Sequence, residues 1–207
     1  MAMPRLLIAT NNPDKVEELR GLLEGAGWDV VAPADLGLTL EVEETGTTYA
    51  ENARLKAEAF SRASGLAALA DDSGLEVDTL DGEPGAMHHL NGWDGRDQAE
   101  RIQILLTAML EVPRSRRAAR FRAVIVVVLP DGRVLEEEGV CEGLIATAPA
   151  GDNGFGYDPV FIPVRPEALE GPGRDLTMAQ LSTAEKNLIS HRGLAARGIA
   201  AKLRALT

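Results

Sequence analysis

Apolar and polar positions alternate along this chain in short blocks, and most blocks end on a recognisable start or stop signal. Leu6 to Ala9 is an apolar run bounded by polar residues and predicts a buried strand. Asn12-Pro13 follows as N-cap and first helical residue, and Val16, Leu19, Leu22 and Leu23 keep helical spacing until Gly25 and Gly27. Trp28 to Val31 predicts a second strand. Thr48 with Glu51 has the form of a capping box, opening a helix that carries Ala53, Leu55, Ala57 and Phe60 to a stop at Gly65.

Leu66 to Ala70 predicts another buried strand, ending directly on Asp71-Asp72-Ser73-Gly74. Asp97 with Glu100 repeats the capping signal ahead of Ile102, Leu105, Leu106 and Met109. Phe121–Leu129 and Val134–Val140 flank Pro130-Asp131-Gly132, a hairpin signature. A Gly- and Pro-rich loop from Ala148 to Pro163 holds one short strand, Val160 to Ile162, and Ser182 with Glu185 opens the C-terminal helical segment. Strands and helices alternate early and a hairpin follows, so the class is α/β with a mixed sheet, expected as one domain or two lobes sharing that sheet.

Composition narrows the function. The 207 residues are 45% hydrophobic, enough for an ordinary core. A net charge of -11 excludes a nucleic-acid polymer as partner, since phosphate backbones are held by basic faces, but it leaves room for a small phosphate ligand. Cys141 is the only cysteine, so internal disulfides and CxxC zinc patterns are absent. No apolar stretch reaches membrane-spanning length, and the first residues lack the pattern of a signal peptide. The expectation is a cytoplasmic protein with no membrane partner.

Five polar segments are candidates for chemistry. The bend Thr10-Asn11-Asn12-Pro13-Asp14-Lys15 opens a helix after a buried strand, aiming backbone N–H groups and a cation above the sheet. It suits an oligophosphate, and equally fits a well-capped helix with an exposed lysine. Asp71 and Asp72 sit at a strand end, where open α/β sheets place ligands. Adjacent strand residues point to opposite faces, so one carboxylate can bind metal while the other supports it; an acidic turn is the plainer alternative. Glu44 offers a further carboxylate and Lys56 a lateral cation, unless they are simply an acidic loop and a solvated lysine. Phe155-Gly156-Tyr157-Asp158 puts two aromatics and a carboxylate in a chain only 4% aromatic, suited to stacking on a planar ring or to anchoring the loop. Lys186, His191 and Arg192 close the set. On one unbroken helix Lys186 and Arg192 stand about 240° apart. If they share a pocket, a break is expected at Ser190, with His191 and Arg192 in a new first turn facing a base and Lys186 left with the phosphates; a continuous helix with a scattered basic surface is the plainer alternative.

Together, ATNNPDKVEEL, EETGTTYAENARLKAEA, ALADDSGLEVDTLDGEPG, GFGYDPVF and LSTAEKNLISHRG resemble the inosine triphosphate pyrophosphatase family, the non-standard purine NTP pyrophosphatases. The pieces stand in the family's order over nearly the whole chain. The resemblance implies a long mixed β-sheet flanked by helices, two lobes with a central active-site cleft, a homodimer, and hydrolysis of ITP, dITP and XTP to monophosphate and pyrophosphate with Mg²⁺. It implies Thr10 to Lys15 and Lys56 on the phosphates, and Asp72 as proton acceptor and magnesium ligand. Glu44 and Asp71 become further metal candidates, and Ser73 a substrate contact. Phe155 to Asp158 would enclose the base, and Lys186, His191 and Arg192 would complete the pocket. Met87-His88-His89-Leu90-Asn91 departs from the Tyr-Ser-Ala-Arg-Tyr-like stretch of many bacterial members. The alternatives are a pyrophosphatase for modified pyrimidine nucleotides, a phosphatase using the aspartate pair, and a nucleotide-binding module without turnover.

Overall fold

The computed structural model describes residues 3–87, 97–164 and 175–207. The strands are β1 (Arg5–Ile8), β2 (Asp29–Val31), β3 (Ala67–Val77), β4 (Ala118–Val128), β5 (Val134–Ile145) and β6 (Phe161–Pro163). The helices are α1 (Pro13–Leu22), α2 (Tyr49–Ser64), α3 (Gln98–Ala108), α4 (Thr183–Ile189) and α5 (His191–Arg204). The strands form one sheet in the order β2-β1-β3-β4-β5-β6. β1 is parallel to β2 and β3, whereas β5 and β6 are antiparallel, so the sheet is mixed and the class is α/β.

The chain divides into two compact units. The first comprises Met1–Ser73, Ala123–Gly139 and Arg192–Thr207; the second comprises Gly74–Arg122 and Val140–His191. β3, β4 and β5 contribute residues to both. In the first unit, α1 and α5 cover the sheet through Leu19, Leu23, Ala195, Ile199 and Leu203 against Leu6, Ile8, Leu69 and Ile125. Trp28 donates its indole N–H to the Leu203 carbonyl at 3.2 Å, joining the entry to β2 with α5. In the second unit, Leu105 of α3 and Met109 at its C-terminal cap pack with Leu75, Phe121, Phe161 and Ile189.

The local signals set most of the helix ends. Asn12 caps α1 by accepting from the Asp14 and Lys15 N–H groups. Thr48 with Glu51 and Ser182 with Glu185 form full capping boxes on α2 and α4, and Gly65 ends α2 in the left-handed conformation. Thr48→Ala removes one half of the α2 box, an expected loss of about 0.5–2 kcal/mol. A denaturation midpoint that does not move would show that α2 is held by packing alone.

β3 differs from expectation. It runs straight through Asp71, Asp72 and Ser73 for seven residues beyond Ala70, to Val77. A strand carries adjacent buried carboxylates only if each finds a cation on its own face, and here both do. Lys15 and Arg192 meet Asp71, and Lys56 meets Asp72.

Candidate active site

In the first unit, the alternation of β3 sends two neighbouring aspartates into different company. Asp71 Oδ2 lies 2.8 Å from the Lys15 ammonium and 3.0 Å from the Arg192 guanidinium, with its side chain 1% exposed. Burial works against its charge, yet Arg192 and Lys15 outweigh burial and hold this carboxyl far below the usual range. Ser73 joins the cluster: its hydroxyl donates to Asp71 at 3.3 Å and accepts from Arg192 at 2.8 Å. Arg192 also pairs with Glu18 at 2.8 Å.

Asp72 turns the other way. Its Oδ1 is 2.9 Å from the Lys56 Nζ, and the same ammonium is 2.9 Å from Glu44 Oε1. Burial raises the Asp72 carboxyl, Lys56 draws it down, and the nearby negative charge of Glu44 pushes it up again, leaving it above the ordinary aspartate value. Burial also disfavours the charge on Lys56, but Asp72 and Glu44 more than restore it. The two neighbouring carboxyls are thus shifted in opposite directions, Asp71 down and Asp72 up.

The β1–α1 bend completes this set. Asn12 occupies two of the first helical N–H groups itself, at 2.9 Å and 3.3 Å, and accepts no further role from them. Asn11 donates to the Leu40 carbonyl at 2.9 Å. Thr10 accepts from the Asn12 N–H at 3.2 Å. Thr10, Asn11 and Pro13 border a cavity of about 720 Å³ on the Val16–Arg20 side of α1, whereas Lys15 reaches back to Asp71. Asp14 is exposed in the first turn, where its charge suits the positive end of the helix.

The second unit holds the aromatic loop. Asp158 is buried, accepts the Phe155 N–H at 3.0 Å, and pairs with Lys186 at 2.7 Å. The Lys186 ammonium stands 5.1 Å from the centre of the Phe155 ring, a cation–π contact. Gly154 is required beside them, because it has φ +76° and any Cβ would lie 2.0 Å from Asp158 Oδ2. The Gly156 N–H donates to Gln98 at 3.1 Å. The Tyr157 hydroxyl is pushed up to about 12 by burial. His191 stacks on Phe121 with ring centres 4.7 Å apart and 14° between planes.

The sequence placed Lys186 with the phosphates and Arg192 with the base. In the structure Lys186 pairs with Asp158 of the aromatic loop, and Arg192 pairs with Asp71 and Glu18. The break itself is present, since Ser190 ends α4 in extended conformation and α5 begins at His191. The change of direction hands each cation to the carboxylate of its own unit.

Of the three metal candidates, Asp71 is already neutralised by two cations in a buried position. Glu44 and Asp72 remain, two oxygens already converging on a single positive centre. Among the described residues no group of three or more His, Cys, Asp or Glu side chains gathers in a way that would hold a metal. Two carboxylates suit magnesium only if substrate phosphates supply further ligands. His88 and His89 lie outside the described residues, as do Leu90 and Asn91.

Glu18 escaped the sequence reading, although it lies three residues from Lys15 on the same helical face and so had to share its surroundings. Asn52, fully buried in α2, escaped it too. It stands four residues before Lys56, again on one face.

Residues 6–202 match the model of the Ham1 family. The chain is 46% identical to the dITP/XTP pyrophosphatase of Symbiobacterium thermophilum, covering 94% of this chain and 92% of that one. It is 45% identical to the dITP/XTP pyrophosphatase of Xanthomonas axonopodis pv. citri, covering 99% and 100%. A solved HAM1 protein from Coxiella burnetii superimposes with a TM-score of 0.82 at 36% identity, covering 98% of this chain and all of that one. With this site geometry on a matching fold and matches running nearly end to end, the chain belongs to the Ham1 family.

Proposed function

We propose that the protein hydrolyses dITP, XTP and ITP to the nucleoside monophosphate and pyrophosphate. The carrying observation is the Glu44–Lys56–Asp72 cluster, in which a carboxylate raised above its ordinary range shares one cation with a second carboxylate. The named activity of the relatives supports the same reading.

Water attacks the α-phosphorus: a new P–O bond forms, the bond to the β-phosphate oxygen breaks, and pyrophosphate leaves. Asp72 accepts the proton that water releases, a task for which a raised carboxylate is suited. Lys56 and Lys15 hold the phosphates and stabilise charge growing on the leaving group. When such cations turn toward phosphate, Arg192 keeps Asp71 neutralised, so the buried strand is not left with a bare charge. Glu44 and Asp72 would hold Mg²⁺, which when bound offsets phosphate charge that otherwise repels the incoming water. The Phe155–Tyr157 aromatics would stack on the base, with Lys186 and Asp158 fixing the loop. Donors facing the 6-oxo group then discriminate against adenine, whose amino group leaves a donor unpaired at about 1–3 kcal/mol. A cytoplasmic location and a homodimer belong to this reading.

The test is pyrophosphate release from ITP, XTP, dITP, GTP and ATP, with and without Mg²⁺. We expect kcat/KM for dITP and XTP to exceed that for ATP by about tenfold or more, with turnover lost in chelator. Orthophosphate as the sole product points to a phosphatase, and binding without turnover points to a nucleotide-binding module; either overturns the proposal.

A further inference from the structure

Glu44 sits in a loop without regular structure, yet its carboxylate lies 2.9 Å from the Lys56 ammonium, which also holds Asp72 at 2.9 Å. Something other than a strand or a helix must fix it there. Two residues later the Gly46 N–H donates to Asn52 Oδ1 at 2.8 Å. Thr47 and Thr48 are tied by their N–H groups to Glu51, but that carboxylate is exposed and belongs to the α2 capping box.

Asn52 is different in kind. It has no solvent exposure, and its Nδ2 is buried with no hydrogen-bond partner among the described residues. A buried amide that satisfies only one end is costly unless the satisfied end matters. The opposing residue is fitted to it: a Cβ on Gly46 would lie 2.6 Å from Asn52 Oδ1 and 2.7 Å from Glu51 Cβ. On α2, Asn52 and Lys56 are four residues apart, hence about 40° apart on one face. One anchors the loop's backbone and the other receives its carboxylate.

We propose that Asn52 is the positioning residue for Glu44, its buried amide clamping Gly46 and so fixing the loop that delivers Glu44 to the Lys56 ammonium it shares with Asp72. This rests on the reading of Glu44 as a metal ligand. Residues that orient a ligating carboxylate typically change metal affinity by about 10–100-fold when removed.

The test titrates Mn²⁺ onto the full-length protein in the presence of pyrophosphate, following the free-ion electron paramagnetic resonance signal. Asn52→Ala should weaken Mn²⁺ binding about tenfold or more. In the Glu44→Gln background the same change should add less than about threefold, because the two act as one unit. A purely structural asparagine would give additive losses, and additivity overturns the proposal. Gly46→Ala attacks the contact from the loop and decides the matter if Asn52→Ala does not fold: weakened Mn²⁺ binding supports the clamp, wild-type affinity overturns it. Pyrophosphate release from dITP by the unaltered enzyme is measured alongside. Its absence would sink the proposed function, while the Mn²⁺ cycle still reports on the clamp.

Discussion

Asp72→Asn is expected to lower kcat for pyrophosphate release by about 10³-fold or more while the protein still binds nucleotide. Loss of a positioned general base accounts for about 10²–10⁴-fold, and the same change removes a candidate metal ligand. Asparagine keeps the shape and one acceptor for Lys56, so the loss should fall on turnover rather than on folding. An asparagine variant running at a near-native rate would remove Asp72 from the chemistry. The pH dependence has a definite sign. The acceptor must be ionised, and burial with Glu44 nearby raises its carboxyl. The acidic limb of kcat/KM should therefore lie at higher pH than an ordinary aspartate gives. Lys56→Met removes a partner that draws the carboxyl down, so it should move that limb further toward alkaline pH.

The second large effect is on stability. Arg192 is 2% exposed and stands between Asp71 and Glu18, whose side chains are 1% and 10% exposed. Arg192→Met leaves two buried carboxylates short of their shared cation, an expected loss of about 3–5 kcal/mol. Denaturant unfolding at neutral pH measures it; a loss under about 1 kcal/mol would mean that water or another cation takes the guanidinium's place. The pH signature follows from Asp71. Its folded carboxyl is held below its unfolded value of about 3.9, so its contribution is fully present above that value. It is lost as acidification carries the pH below about 4 toward the folded value. Wild type should therefore lose stability on going from pH 6 to pH 3, and the Arg192→Met variant should lose less over the same interval.

Much of this molecule was legible locally. The capping boxes at Thr48 and Ser182, the Asn12-Pro13 start and the Pro130-Asp131-Gly132 hairpin involve residues that meet within a few positions of each other, so pattern alone reveals them. The break at Ser190 was expected on the premise that Lys186 and Arg192 share a pocket; it is present, with Lys186 and Arg192 on different carboxylates. What escaped depended on distant partners. β3 looked finished at Ala70 because two aspartates seem incompatible with a buried strand. Lys15, Lys56 and Arg192, which make it possible, come from other parts of the chain. The ion pairs of Lys186 and Arg192 escaped for the same reason. Each was read by its neighbours in sequence, whereas Asp158 and Asp71 decided where each went. Glu18 is 174 positions from the guanidinium it holds, and no local signal announces such a pair.

β1 and β3 pair with Leu6 opposite Ala67, Leu7 opposite Ala68 and Ile8 opposite Leu69. That alignment determines which of two chemically identical side chains faces Lys15 and Arg192 and which faces Lys56, the latter being the proposed base. A slip by a single residue would exchange their faces. Both aspartates would survive, but with one alanine deleted Asp72 would stand where Asp71 stood and Asp71 where Ala70 stood, so neither would keep its own neighbours. Deleting one alanine between Leu66 and Leu69 would thus be as damaging as replacing Asp72 itself, which makes that unremarkable apolar stretch as much a part of the catalyst as the carboxylates it carries.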